Sequence, residues 1–359
     1  LIFMSTYNSA IVAITKQGIR IARKIKENIG DVDIYVPAKY DDSKKDINWF
    51  EEQTGEIIAS LFERYDALIC IFSLGAVIRL IAPFVRNKKS DPAVLVIDDR
   101  AKFVISALSG HLGGANELAR KVSSFLPNSE SVITTAADVN ETVPVDLIGK
   151  QFGWQIENDK NVTRVSAYMV NEEKIALYQD TGQKDWWTNN SLPKNITKVT
   201  NMEILTNSEF KGCLIISDKI ITDQDILQKA VLYRPKSLVV GLGLHWTTKK
   251  ESIENAIENV FCSHGLSMKC IHSVASINRG ATVKGLKEFS EQKNIPIALF
   301  EKDELNKVGV PNPSQTVLDY EGTASVSEAS AILASRGNLV IPKQKFPPDL
   351  TVAIARIDY

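Results

Sequence analysis

The chain has 359 residues, with 42 Lys and Arg against 43 Asp and Glu, for a formal net charge of -1. At 44% hydrophobic and 24% charged residues its composition is that of an ordinary globular protein, which excludes wholesale disorder. The balanced charge excludes the broad basic surface that nucleic-acid and anionic-membrane binders use, so any bound anion must be held by local devices.

The length suits about two or three domains. No run approaches the roughly 20 apolar residues needed to span a bilayer. The start, LIFMSTYNSAIVAITKQGIR, is broken by polar residues and lacks a basic opening and a small-residue cleavage site. It reads as a first strand running into a helix, and a cytoplasmic location is expected. Four cysteines, Cys70, Cys213, Cys262 and Cys270, are too few for a disulfide framework in a chain this long.

Over residues 1–142 strands and helices alternate. SAIVAIT, DVDIYVP, DALICIF, AVLVID, FVIS and SVITT are short, β-rich and bounded by Asp, Gly or Pro. Between the earlier ones, Ile19, Ile21, Ala22 and Ile25, then Ile57, Ile58, Leu61 and Phe62, recur at helical spacing. Continuous apolar strands alternating with amphipathic helices predict an α/β domain with a mainly parallel sheet covered on both faces.

Over 143–235 the texture changes to Trp154, Trp186 and Trp187 among many Asn and Thr. The runs TRVSAYMV, EKIALYQD and GCLIIS predict a smaller mixed α/β domain richer in antiparallel strand, and Arg234-Pro235-Lys236 reads as a boundary.

The αβ alternation returns over 236–359, predicting a second α/β domain with a mainly parallel sheet. SLVVGLGL, MKCIHSVASI, IPIALF, NLVIPK and LTVAIARI are its strands. Thr248–Glu251 and Ser325–Glu328 match capping boxes opening the helices ESIENAIENVF and SEASAILAS, the second ended by Gly337.

The densest chemical signal is SALSGHLGGANELARKV, residues 106–122, directly after a strand. Gly110, Gly113 and Gly114 lack the Cβ atoms that would keep a ligand off the backbone. The helix that follows aims its unpaired N–H groups and positive dipole end at the turn, a cradle for carboxylate or phosphate that needs no Lys or Arg. His111 lies within it, with an ordinary pKa near 6.5 that suits proton transfer. On spacing alone a plain glycine turn with a hydrogen-bonded His is an equal reading. Glu117 falls at the third helical position, where helix capping outweighs a catalytic role.

Neither GxxxxGK[ST] nor GxGxxG is present, which counts against a nucleotide site. Phe72-Ser73-Leu74-Gly75 leads through Val77 to Arg79 in a second strand–turn–helix device, with Arg79 placed to meet a carboxylate; in a parallel sheet both turns would share the carboxyl edge. Gly241-Leu242-Gly243 ends a strand before a helix and is a third candidate cradle. Cys262, His264, Cys270 and His272 do not match the spacing of zinc knuckles, and a buried Cys with a surface His is the preferred account. No GxSxG elbow follows a strand.

These residues together resemble the cobalamin-biosynthesis G protein (CbiG) family, the cobalt-precorrin-5A hydrolases of the anaerobic vitamin B12 pathway. The resemblance is carried by FSLGAVIRLIAP, DPAVLVIDD, LSGHLGGANELA and VITTAAD in the first domain, and by GLG, SVSEASAILA and LVIPK in the last. The chain departs from the family at Leu244–Thr248 and Asn278–Val283, and at Ala136, where a Thr is common.

The resemblance implies hydrolytic opening of a δ-lactone on a cobalt-bearing tetrapyrrole with release of acetaldehyde. It implies His111 and Glu117 as catalytic candidates, with the N–H groups around Gly113 and Gly114 stabilising the developing oxyanion. It places Ser73, Gly75, Arg79, Ser109, Gly110, Gly113, Gly114, Asn116, Gly241, Gly243 and Glu328 against the substrate. Cobalt would arrive with the substrate, so no cofactor is expected. Neighbouring methyltransferases of the pathway are candidate partners, and neither nucleic acid nor membrane is. A non-catalytic carrier of corrinoid intermediates is the alternative.

Overall fold

Near the start of the chain, three apolar runs become strands with every residue buried, because helices cover both of their faces. The computed structural model describes residues 8–42, 46–87, 90–111, 113–136, 142–188 and 191–359. Leu112 of the glycine block, and Ala137 and Asp138 after VITT, lie outside the described residues. Two compact units emerge, residues 1–147 and 148–359.

The first unit runs β1 (Ser9–Ala13), α1 (Lys16–Ile29), β2 (Val32–Pro37), β3 (Asn48–Phe50), α2 (Thr54–Arg64), β4 (Ala67–Ile71), α3 (Leu74–Ile81), β5 (Ala93–Ile97), β6 (Phe103–Leu108), α4 (Ala115–Phe125) and β7 (Glu130–Val132). Alternate side chains of β4 feed two cores, as strand geometry requires. Ala67, Ile69 and Ile71 pack with Ile21 and Ile25 of α1 and Leu118 and Val122 of α4, while Leu68 and Cys70 pack with Ile58, Leu61 and Val77 from α2 and α3. Thr15 starts α1 by accepting the Gly18 N–H at 2.9 Å.

The seven strands are ordered β3-β2-β1-β4-β5-β6-β7. The first five are mutually parallel. β6 turns back antiparallel to β5, with Val94 opposite Leu108 and Ile97 opposite Val104, and β7 follows β6 in parallel. The carboxyl ends of β6 and β7 therefore lie at the sheet edge opposite those of β1, β4 and β5. The Ser73 and Ser109 turns do not share one edge, contrary to the expectation from a uniformly parallel sheet.

The second unit holds two sheets. β8 (Gln155–Ile156), α5 (Val162–Val170), β9 (Ile175–Gln179), β10 (Ile196–Val199), β11 (Gly212–Ile216) and β12 (Ala230–Arg234) give the order β10-β9-β11-β12-β8. Only β12–β8 is antiparallel, so the middle region is not rich in antiparallel strand. Its strands are joined by long links, which make crossovers rather than hairpins. TRVSAYMV is helical rather than extended, because Val162, Val165 and Met169 bury one helical face.

β13 (Leu238–Leu244), α6 (Lys250–Ser263), β14 (Ile271–Ile277), α7 (Lys284–Lys293), β15 (Ile297–Phe300), α8 (Ser327–Ser335), β16 (Asn338–Phe346) and β17 (Leu350–Arg356) give the order β15-β14-β13-β17-β16. Strands β13, β14 and β15 are parallel, and β17 lies antiparallel to both β13 and β16.

Neither expected capping box forms. The N-cap of α6 is Lys249, without a side-chain bond, and the Thr248 hydroxyl instead donates to Asp349 Oδ2 at 2.9 Å. The N-cap of α8 is Val326, and α8 ends on Arg336 at φ 53° rather than on Gly337. Arg234 is not a solvated boundary residue: it is 1% exposed, donates to the carbonyls of Ser217 and Lys219, and is clamped by Glu157. Asp218, fully buried, pairs with Arg356 Nε at 2.7 Å and so ties the two sheets of this unit together.

Candidate active site

The glycine block becomes a tight loop between β6 and α4. Ser109 takes a left-handed φ of 55°, and its hydroxyl donates to Asp91 O at 2.9 Å. Gly113 must be glycine, since a Cβ there would lie 2.4 Å from Ser109 Cβ and 2.8 Å from Ser109 O. Gly114 caps α4 at φ 83°, a left-handed conformation that disfavours other residues. The helix continues because Ala115, Leu118, Ala119 and Val122 form a buried stripe.

The loop is internally bonded. Gly114 N–H donates to His111 O at 3.1 Å, Ala115 N–H to Ser109 O at 3.2 Å, and Asn116 N–H to Gly110 O at 2.9 Å. Of the two glycine amides proposed as oxyanion donors, Gly114 is therefore engaged, while Gly113 N–H has no acceptor among the described residues. Asn116 is 4% exposed, and its Nδ2 donates to Thr135 Oγ1 at 3.0 Å, stitching α4 to the segment after β7. Gly110 allows Asn116 to sit there, since a Cβ at Gly110 would meet Asn116 Oδ1 at 2.7 Å. Glu117 occupies the third position of α4 and is exposed.

The His111 side chain is 15% exposed and brings Nδ1 to 3.7 Å from Asp146 Oδ1, itself 16% exposed. This is an ion-pair distance rather than a short hydrogen bond. Val143 and Val145, each 1% exposed, anchor the segment that presents Asp146. A carboxylate beside an imidazole nitrogen orients the ring and stabilises its charged form, the logic of a base held by a third group. Asp146 is the functional candidate that sequence reasoning missed, for it belongs to no motif.

Ser73, Gly75 and Arg79 stand at the other edge, all exposed. Ser73 starts α3 with no side-chain cap, and Arg79 Nη1 bends back to Gly75 O at 3.1 Å. This turn lies beside Thr15, which donates to Asp99, at the carboxyl ends of β1 and β4. There the strand order reverses, the place where open α/β sheets bind ligands. A five-residue strand is about 16 Å long, so the two turns make two separate sites rather than one.

The glycines of β13 serve packing. A Cβ on Gly241 would come within 1.9 Å of Ser327 O, and one on Gly243 within 2.3 Å of Thr351 Oγ1. Gly241 is thus filled by α8 itself. Glu328 is fully buried in the same helix, accepting from Asn312 N–H at 3.1 Å, Asn312 Nδ2 at 2.8 Å and Lys343 N–H at 2.9 Å. Its carboxylate is spent on loops of its own unit. Arg279, within the stretch departing from the family pattern, pairs with Glu321 at 2.5 Å and covers the Trp246 ring at 5.5 Å. Among the described residues no cluster of His, Cys, Asp and Glu is arranged to hold a metal ion. Cys270 is buried, its thiol pushed up to about 12 by desolvation. No described helix is long and apolar enough to cross a membrane.

Three family models match the chain from residue 56 onward: Cobalamin synthesis G N-terminal over residues 56–138, Cobalamin biosynthesis central region over 143–235, and Cobalamin synthesis G C-terminus over 238–355. The cobalt-precorrin-5A hydrolase of Salmonella typhimurium is 29% identical, covering 78% of this chain and 79% of that protein. A crystal structure of CobE, a protein from the cobalamin (vitamin B12) biosynthetic pathway, is 23% identical with a TM-score of 0.33, covering 34% of this chain and 92% of that one. The cobalt-precorrin-5A hydrolase of Priestia megaterium is 40% identical over 356 residues, 98% of this chain and 95% of that protein. With identity at that level over nearly its whole length, the chain belongs to the cobalamin synthesis G (CbiG) family.

Proposed function

We propose that this chain is a cobalt-precorrin-5A hydrolase. Water would add to the carbonyl of a δ-lactone on a cobalt-bearing, ring-contracted tetrapyrrole, and the acyl C–O bond would break to leave a carboxylate and a secondary alcohol. The carbon–carbon bond joining that alcohol carbon to the macrocycle would then cleave, its electron pair passing into the conjugated ring, the hydroxyl losing its proton, and the two-carbon fragment leaving as acetaldehyde. The product would be cobalt-precorrin-5B. Cobalt belongs to the substrate.

The observation that carries the reading is the His111–Asp146 pair beside a glycine loop, in a chain so similar to a curated protein of that name. Lactone hydrolysis needs a base for the water and a donor for the developing oxyanion. His111 takes the proton of the attacking water, with Asp146 orienting the ring and compensating its charge. Gly113 N–H, which has no acceptor among the described residues, faces the role of oxyanion donor. One such donor typically contributes ~10²–10³ in rate, comparable to the base itself. The α4 N-terminus adds its dipole to the same loop.

The test is anaerobic incubation with cobalt-precorrin-5A, trapping acetaldehyde and following product mass. Acetaldehyde in stoichiometric amount with the mass of the opened product is expected. Binding without acetaldehyde above the protein-free background would replace the enzyme by a carrier.

A further inference from the structure

The parallel strands β9 and β10 are joined by residues 180–195, a crossover that in most parallel pairs contains a helix. Among the described residues of this link there is none. Trp186 and Trp187 occupy it instead, and together with the sheet they line a cavity of about 740 Å³. That size falls within the ~300–1,000 Å³ of small-molecule sites.

Strand alternation explains which residues reach it. Leu177 and Gln179 point to one face of β9, and the register sets Lys198 of β10 beside Leu177. The alternate residues Ala176 and Tyr178 pack in the apolar core, and Val199, at the end of β10, touches both core and cavity. The cavity therefore uses the face of the sheet that a crossover helix would have covered.

The wall is built rather than slack. Gln179 Nε2 donates to the carbonyls of Thr181 at 3.0 Å and Gln183 at 2.9 Å, while its Oε1 accepts from Trp186 Nε1 at 3.0 Å. Trp187 Nε1 donates to Ser191 O at 2.9 Å, so both indoles are held by their N–H groups. Gly182, at φ 80°, lets the loop close on Trp154 and Pro235. The charges are one-sided. Asp180, the single carboxylate among the lining residues, is engaged by Lys219 and Tyr178. Lys184 and Lys198 are exposed and have no ion-pair partner among the described residues. Thr181, 8% exposed, keeps its Oγ1 without a hydrogen-bond partner on the same wall.

We propose that this cavity binds a flat conjugated ring fringed with carboxylates, the ring against the Trp186–Trp187 wall and carboxylates on Lys184 and Lys198. Indole faces favour stacked flat rings, and ammonium groups favour carboxylates. A nucleotide would share the ring, but its phosphates are commonly cradled by backbone amides at an α-helix start, and among the described residues no α-helix starts at the lining of this cavity. Resting on the proposed function, the occupant is the tetrapyrrole of the pathway.

Calorimetry of the full chain with uroporphyrin, an octacarboxylate porphyrin, and separately with ATP tests this. Uroporphyrin binds the wild type, and K184E/K198E weakens it about tenfold at low salt, the difference shrinking as salt screens the charges. Trp187→Ala weakens binding by a similar factor, and ATP does not displace the porphyrin. K184E/K198E keeps its melting temperature, since both side chains are exposed. Equal uroporphyrin affinity in wild type and K184E/K198E, no binding by the wild type, or displacement by ATP overturns the proposal. Loss of porphyrin binding in K184E/K198E from a chain that releases no acetaldehyde leaves this site standing and removes the hydrolase. Acetaldehyde release with porphyrin affinity unchanged in the variant does the reverse.

Discussion

The loop from Ser109 to Gly114 and the strand from Gly241 to Gly243 are the same signal in one dimension: apolar strand, paired glycines, helix. In three dimensions they differ in what occupies the space the missing Cβ atoms leave. At Gly241 that space is filled by Ser327 O and Ala331 of α8, so the glycine exists to let a helix lie against a sheet. At Gly110–Gly114 the glycines fold the chain around itself, and the loop presents His111 to Asp146. A glycine pair before a helix therefore reports close approach, and only its neighbours tell whether the approaching group is a ligand or the protein.

Five substitutions break or sharpen that contrast. The largest effect is expected at His111: His111→Ala should cut acetaldehyde release by ~10²–10⁴ while leaving the melting temperature near that of the wild type. Asp146→Asn should lose less, and the double variant little more than His111→Ala alone, because residues acting as a unit are not additive. A folded His111→Ala protein releasing acetaldehyde at the wild-type rate would remove His111 from the mechanism.

Next comes Gly241→Ala, whose Cβ would meet backbone at 1.9 Å and so must push α8 from β13. About 3 kcal/mol of stability should be lost in denaturant unfolding. Gly110→Ala meets only the Asn116 side chain, at 2.7 Å, and should cost about 1 kcal/mol. Equal losses at the two positions would erase the distinction drawn between them.

The smallest is Glu328→Gln. Three donors converge on this buried carboxylate, and an amide satisfies them incompletely, for a loss of about 1–3 kcal/mol. A raised KM with unchanged unfolding would instead return Glu328 to the substrate.

Strands such as Ala67–Ile71 and the helix over Lys16–Ile29 were legible because burial on both faces, or on one stripe, dictates composition and period. The direction of β6 was written less plainly, in the short Asp98–Lys102 link, a length that returns a chain antiparallel but cannot carry a crossover. That reversal sets the Ser109 turn on the edge opposite the Ser73 turn. TRVSAYMV fits both periods over so few residues, and the buried face of Val162, Val165 and Met169 settled it as helix.

Local chemistry, then, was present in the chain from the start: which runs are strands, where glycine permits a sharp turn, and which family the LSGHLGGAN block resembles. Each of these depends on side chains within a turn or two of one another. Only the tertiary fold decided that His111 meets Asp146, that Gly241 is packed shut by α8, that Arg234 is a buried clamp rather than a linker, and that two indoles and two lysines share a cavity over β9 and β10. Most of those pairings join residues far apart in the chain. They follow from strand order, direction and crossover, which no local pattern encodes.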